Sequence, residues 1–409
     1  MTADAVPPAL GPLDLLVIQP TPFCNLDCHY CYLPDRANKQ RISAATLERL
    51  FARVFDGDLV RGPFTVVWHA GEPLVLRPAF YREALAIAAR HNRRHVAIGH
   101  AVQTNATLID QEWCEFIKRH SVRIGVSVDG PEFLNDRYRT TRRGGGTYRR
   151  VIEGIAALQR NAIPFHVITV LTRDTLDYPD ELYAFYVEHG IEQVGFNVEE
   201  IEGPHQRSTL SAPDGERRFR EFLSRFYDLA VRGRVPLRVR EFDSAVAAIL
   251  AADRDPPRLQ ETAPLAIVSV DCDGNFSSFS PELLGLQSRE YGDFALGNVH
   301  ATSFAAAAQT ARFTAMNAAI GAGIERCRRT CSYFGLCGGG APANKYFENG
   351  SFDSAETLFC RLTRQAVLDV VLDKLHDSPL APEADHALPP GAAVGVAGAA
   401  RTERRPLPS

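Results

Sequence analysis

Cys24, Cys28 and Cys31 stand in the run Cys24-Asn-Leu-Asp-Cys28-His-Tyr30-Cys31, a C-x3-C-x2-C spacing just after the apolar run Leu15 to Ile18. Thiolates this close together can wrap one corner of an iron–sulfur cube and bind three of its irons, which leaves the fourth iron open to a small ligand. Zinc would more naturally draw two C-x2-C pairs or a Cys/His set, and a disulfide would leave one cysteine over. A second group, Cys327-x3-Cys331-x5-Cys337 with Cys360 after a further 22 residues, offers four thiolates, enough for a closed iron–sulfur or zinc site. Cys272 stands alone and cannot hold a cube, and Cys114, in a helical pattern, reads as a core residue.

The elements that must position these thiols are legible in the apolar periodicity. Strand patterns fall at Leu15–Gln19, Phe64–Trp68, Ala97–Gln103, Val122–Val128, Phe165–Leu171 and Gln193–Asn197. Between them run helical patterns at Ala44–Phe55, Pro78–His91, Gln111–His120, Thr147–Asn161 and Pro179–His189, and a sixth follows at Pro213–Arg232. This alternation predicts an α/β fold, a partial (β/α)6 TIM-like barrel open on one side, with chemistry at the C-terminal ends of its strands. After residue 240 the pattern changes: a helix near Glu241–Ala252, a hairpin over Leu265–Ser280 turning at Asp273-Gly274, an Ala-rich helix near Ser303–Gly321 and a last amphipathic helix at Thr357–Asp377. The division expected is a tail over 1–12, a barrel over 13–235, a cysteine-bearing extension over 236–377 and a disordered Pro/Ala/Gly/Arg-rich tail over 378–409.

Composition sets the remaining bounds. The formal charge of −4 gives no electrostatic reason for nucleic acid or an anionic membrane as partner. No segment offers about 18 uninterrupted apolar residues, so no membrane span is expected. The N-terminus lacks the basic and apolar regions of a secretory signal, and nine cysteines, seven of them in two groups, suit metal ligation in a reducing cytoplasm.

Several motifs close the predicted strands. His69-Ala-Gly71-Glu72-Pro73 follows the second, Gln103-Thr-Asn105 ends the third, and Ser127-Val-Asp129-Gly130-Pro131 ends the fourth, with Arg139 twelve residues after Ser127. A glycine admits close backbone approach, a carboxylate can accept from an amino group, and a guanidinium pairs with a carboxylate. Alone, these are a Gly/Pro turn, an Asx-turn and one arginine of a basic run. Gly144-Gly-Gly146 lacks a following Gly-Lys-Ser/Thr and reads as a turn. Glu199 and Glu200 would face the open side of the barrel.

Taken with the cysteine triplet and Tyr30 before its third cysteine, these motifs resemble the radical S-adenosylmethionine (SAM) enzymes. The resemblance implies a 4Fe–4S cluster on Cys24, Cys28 and Cys31, whose open iron chelates SAM. One electron then cleaves SAM to a 5′-deoxyadenosyl radical. It also implies SAM contacts at Tyr30, Gly71, Glu72, Gln103, Asn105, Ser127 and Arg139, with Arg142 and Arg143 outside the motif, and Ala70 in place of a usual glycine. The C-terminal cysteines are similar to a SPASM-type iron–sulfur extension reduced to one auxiliary 4Fe–4S cluster on Cys327, Cys331, Cys337 and Cys360. Ala341 stands where a further cysteine is frequent, and Cys272 is the hairpin's only one.

The narrower likeness, in Val17-Ile-Gln19-Pro-Thr-Pro22, Tyr32-Leu-Pro34-Asp35-Arg36 and Phe276-Ser-Ser-Phe-Ser280-Pro-Glu282, is to the cyclophane-forming maturases of Gly-rich-repeat ribosomal peptides (the GrrM/OscB type). It implies a ribosomal precursor peptide as substrate and a flavodoxin- or ferredoxin-like electron donor. An aromatic ring carbon would be joined to a side-chain Cβ, with Glu282, Asp271 or Asp273 as the base. Sulfatase-maturing relatives use a hairpin aspartate where this chain has Ser280, so formylglycine formation is not expected. The alternatives are another SPASM chemistry, such as thioether formation, and a non-catalytic iron–sulfur or zinc scaffold that binds a peptide. Reconstituted protein is expected to hold about eight irons per chain by elemental analysis, as two 4Fe–4S clusters. About twelve would restore the discarded third cluster, and zinc would remove redox chemistry from the C-terminal site.

Overall fold

The computed structural model describes residues 10–377. The tail expected over 1–12 is described only from Leu10, and the tail expected from 378 lies outside the described residues. Leu15–Ile18 (β1), Phe64–Trp68 (β2), Ile98–Thr104 (β3), Arg123–Ser127 (β4), Phe165–Leu171 (β5) and Gln193–Val198 (β6) lie side by side in chain order, all parallel. The helices between and after them are Ala44–Asp56 (α1), Pro78–His91 (α2), Gln111–His120 (α3), Glu132–Tyr138 (α4), Tyr148–Arg160 (α5), Pro179–Glu188 (α6) and Gly215–Arg232 (α7). The short α4 is the one barrel helix that apolar periodicity did not show. Ser43 caps α1 through Thr46 N–H, Asp110 caps α3 through Trp113 N–H, and prolines open α2 and α6, where a missing N–H costs nothing.

The expected partial barrel is present, and both of its edges are extended. Arg238–Val239 (β7) adds to β6, ahead of helix Arg240–Leu250 (α8). At the other edge the hairpin Ile267–Val270 (β8) and Asn275–Ser278 (β9) does not stand apart. β8 pairs in parallel with β1, Leu15 opposite Ile267 and Ile18 opposite Val270, and Gly297–Asn298 (β10) follows β9. The result is one sheet in the order β10-β9-β8-β1-β2-β3-β4-β5-β6-β7.

The Ala-rich segment differs from its expected single helix. Phe304–Ala307 (α9) stops, and Thr310 caps a new helix, Ala311–Thr330 (α10). That helix runs through Gly321 and Gly323 instead of ending there. A Cβ on Gly323 would collide with the carbonyl of Phe352, so the glycine serves close packing and not termination. Its last turn carries Cys327 to the second cysteine group. Phe334–Cys337 (α11), Pro342–Asn349 (α12), Leu358–Cys360 (α13) and Val367–His376 (α14) complete the described chain, the last two joined by a π-helical turn over Arg361–Ala366. No helix among the described residues is long and apolar enough to cross a membrane.

Between the sheet and α2–α3 lies a chain of aromatic contacts: Trp68–Tyr81 at 5.2 Å, Tyr81–Trp113 at 5.4 Å and Trp113–Phe116 at 5.7 Å between ring centroids. Trp113 is fully buried and its Nε1 has no hydrogen-bond partner. Trp113→Ala is therefore expected to destabilise the protein by about 3–5 kcal/mol. Trp113→Phe keeps most of the ring area, deletes the unpaired N–H and should cost distinctly less. Urea denaturation compares the two, and equal losses would contradict this account of the buried indole.

Candidate active site

The cysteine loop after β1 has almost no secondary structure of its own, so its backbone is held by other elements. Cys24 N–H donates to the Arg36 carbonyl (3.1 Å), Asp27 N–H to the Thr140 carbonyl (2.8 Å) and His29 N–H to the Tyr138 carbonyl (3.0 Å). Arg36 donates to the Cys28 carbonyl at 3.1 Å and pairs with Asp27 at 2.9 Å. Arg142 is exposed, as expected, but it is no bystander: it donates to the carbonyls of Cys24 (3.3 Å) and Arg36 (3.0 Å). Burial pushes the Cys24 thiol up to about 12, with nearby Glu72 adding to it, and the Cys28 thiol up to about 11. Protonated thiols in a low-dielectric pocket await a cation, whose charge would deprotonate them.

Above this loop converge the strand-end residues. Glu72 is buried, and its carboxylate accepts from Leu74 N–H (2.9 Å), Thr104 Oγ1 (2.7 Å) and Asn105 N–H (2.8 Å). A carboxylate has about four acceptor sites, so one remains for an amino group. Burial raises this acid to about 7. Gly71, with φ of +67°, is required by the chain itself: a Cβ there would strike the backbone of Thr21 and Phe23. It lets the cysteine loop approach the β2 turn, so packing against the protein's own chain demands this glycine. Asn105 donates to Asn25 Oδ1 (2.9 Å) and weakly to Cys24 Sγ (4.0 Å). Gln103 donates to Ser127 Oγ (2.8 Å), in space that Gly125 leaves open.

Arg139 is buried and pairs with Asp129 at 3.0 Å. The Tyr30 hydroxyl donates to the other oxygen of Asp129, and the Arg139 guanidinium lies 5.5 Å from the Tyr30 ring centre. Arg139 Nε has no partner although it is buried. A buried donor without an acceptor is costly, and an incoming anionic or hydroxyl-bearing ligand would satisfy it. The residues present thus fit SAM. Asp129, given no role from sequence, is the hub of this cluster. Its one signal in the sequence is its place inside Ser127-Val-Asp129-Gly130, at the end of β4.

The second cysteine group is brought together as expected. Cys327, Cys331, Cys337 and Cys360 line one pocket with Gly339, Gly340, Lys345 and Thr357. Among the described residues, no three His, Cys, Asp or Glu side chains converge tightly enough for a single metal ion. A cube, whose irons each take one sulfur, asks for sulfurs spread around a pocket.

The hairpin carboxylates separate in role. Asp271 accepts from Asp273 N–H, Asn275 N–H and Asn275 Nδ2, each at 2.9 Å, so it fastens the turn. Asp273 is exposed and accepts from Gln40. Glu282 instead sits in a poorly hydrated group with Glu200, Glu202, Glu261 and Tyr32, hydrogen-bonded by Ser280. Burial raises the acids of Glu282, Glu200 and Glu202, and the neighbouring Glu200 adds to the rise at Glu202. Asn344 of α12 donates to Glu200 at 2.7 Å, and the Tyr32 carbonyl packs against Gly203, so this group bridges the cysteine loop and the extension. Glu199 is occupied by Thr209 and His205.

Residues 18–186 match the family model described as the Radical SAM superfamily. An uncharacterized protein of Synechocystis sp., sll1766, is 45% identical over 372 residues, covering 90% of this chain and 93% of that one. The chain belongs to the radical SAM superfamily. Its cofactors are therefore SAM and iron–sulfur clusters. The serine-type anaerobic sulfatase-maturating enzyme of Bacteroides thetaiotaomicron is 23% identical over 88% of this chain and 90% of its own length. The radical SAM fold here resembles native anSMEcpe with bound AdoMet, at a TM-score of 0.71 and 21% identity over 88% of this chain and 98% of that one. It also resembles Streptococcus suis SuiB bound to the precursor peptide SuiA, at a TM-score of 0.59 and 15% identity over 85% of this chain and 76% of that one.

Arg139→Ala is expected to weaken SAM binding about tenfold to a hundredfold, the worth of a charge-assisted hydrogen bond. Arg142→Ala should speed iron loss from the cysteine loop, and Arg143→Ala should change neither quantity. SAM titration and iron release into a chelator measure both. Unchanged SAM affinity in Arg139→Ala would remove that residue from the site.

Proposed function

We propose that this radical SAM protein modifies a ribosomally made precursor peptide by joining an aromatic ring carbon to a side-chain Cβ, with residues 13–235 acting on SAM and 236–377 as the SPASM-type partner domain. Cys24, Cys28 and Cys31 would carry the SAM-cleaving cluster, and Cys327, Cys331, Cys337 and Cys360 an auxiliary 4Fe–4S cluster. The bound cofactors would supply a hydrogen-abstracting radical and a one-electron sink. Arg139, Glu72, Gln103 and Ser127 would hold and orient SAM, and Tyr30 would brace Arg139.

Cross-linking removes one hydrogen atom from the Cβ, then one proton and one electron from the ring. It therefore needs a base beside an electron acceptor. The observation that carries the reading is Glu282: a carboxylate of raised proton affinity that sits, among the hairpin candidates, in the group bridging the cysteine loop and the auxiliary segment. Asp271 and Asp273 are spent on the turn or face solvent. That SuiB is known with a precursor peptide bound supports a peptide substrate.

A second reading is oxidation of a Ser or Cys side chain to formylglycine, as the sulfatase-maturating relative suggests. Ser280 replaces the expected base, yet it donates to Glu282, so a carboxylate reaches that place after all. Co-production with a short Gly-rich reading frame, followed by tandem mass spectrometry, separates the two. A cross-link appears as loss of two hydrogens with no fragmentation inside the ring, whereas an aldehyde that reacts with hydroxylamine would overturn the proposal. Glu282→Gln is expected to keep 5′-deoxyadenosine formation and lose the cross-link. An undiminished cross-link would exclude Glu282 as the base.

A further inference from the structure

Two side chains beside the second cysteine group are used by nothing described so far. Lys345 is 4% exposed. Its ammonium donates to the Gly323 carbonyl at 2.9 Å and to Cys327 Sγ at 3.3 Å. Among the described residues no carboxylate lies within ion-pair distance of it. Asp353 is near enough to feel its charge but is already paired with Arg326, and a buried ammonium without a counter-charge in contact is disfavoured. The sulfur side of the pocket is where such a charge would come from, because a four-thiolate metal centre is anionic.

The second is Gln365, also buried, whose Nε2 donates to Cys360 Sγ at 3.8 Å and to Glu356 at 2.8 Å. In a regular α-helix a residue five positions on is rotated by about 140° from its predecessor. The π-helical turn over Arg361–Ala366 closes wider rings and brings Gln365 back to the face that carries Cys360. The irregular turn thus has a consequence at the sulfur.

We propose that Lys345 and Gln365 are positioning residues for redox, set to raise the reduction potential of the auxiliary cluster so that it accepts the electron released in cross-linking. The inference rests on the reading of this pocket as a 4Fe–4S site. Reduction adds one negative charge to an already anionic centre, so a fixed ammonium and an amide N–H at two of its sulfurs favour the reduced form. Glu282 would take the proton of the peptide ring radical, and a cluster held by Cys327, Cys331, Cys337 and Cys360 would supply the one-electron acceptor that balances the step.

The test uses full-length protein with Cys24, Cys28 and Cys31 replaced by Ala, so that the auxiliary cluster is the only one expected. The solution is poised at this parent's midpoint, and the reduced-to-oxidised ratio is read by electron paramagnetic resonance. Lys345→Met should lower the ratio at least tenfold, about 59 mV for a one-electron couple. Gln365→Leu should lower it by a smaller factor, and Lys345→Arg should leave it near the parent's value. Unchanged ratios in both Lys345→Met and Gln365→Leu, at the parent's iron content, would overturn the proposal. If Lys345→Met fails to retain iron, Gln365→Leu decides alone. Zinc, or no metal, in the parent would instead overturn the 4Fe–4S reading itself.

Discussion

The buried pairing of Asp129 with Arg139 is the contact on which the SAM face of the barrel depends. Asp129 accepts from Arg139, from Tyr30 and, at 3.0 Å, from Val170 N–H, so one carboxylate ties the end of β4 to β5, α4 and the cysteine loop. Removing one partner of a buried pair typically costs about 3–5 kcal/mol, because the other charge is left uncompensated. The arrangement makes sense only if the remaining donor capacity of Arg139 has a use. Its Nε, buried and without a partner, is the donor left over for the SAM contact proposed above.

Glu72 follows the same economy. It closes the β2 turn against the end of β3 through Leu74, Thr104 and Asn105 and retains a free acceptor site. Both charged residues expected to meet SAM are thus half structural, and the site is largely formed before ligand arrives. Pre-organisation of this kind reduces the ordering cost of binding.

The six parallel strands and most helix bounds were legible because apolar periodicity and Pro or polar caps agree there; Phe64–Trp68, Phe165–Leu171, Pro78–His91 and Gln111–His120 matched residue for residue. Both cysteine groups were legible because metal ligation concentrates one residue type at tight spacing. Asp129, Tyr32, Lys345 and Gln365 were not, since each acquires its partner across tens of residues or through a π turn that has no distinct sequence pattern. The packing of Gly71 was not legible for a related reason: a glycine in a turn signals that something approaches closely, but not that the chain itself does so at Thr21 and Phe23. The long α10 was cut short because Gly321 and Gly323 look like stop signals in one dimension, and only the packed Phe352 carbonyl explains Gly323.

The insertion of β8 beside β1 has a bearing on how the chain is made. One edge of Leu15–Ile18 finds its partner, Phe64–Trp68, early, but the other waits for Ile267–Val270. At ribosomal speeds of about 5–20 residues per second, the first strand to emerge keeps a bare hydrogen-bonding edge for roughly ten to fifty seconds. Such an edge invites pairing with another nascent chain. The cysteine loop leaves from the end of that same strand, so the segment that must receive iron is held by a half-paired strand until two-thirds of the polypeptide has been synthesised. Any cluster inserted before β8 arrives would therefore meet the cysteine loop on a strand with one open edge, and one inserted later would meet it on a strand paired on both sides.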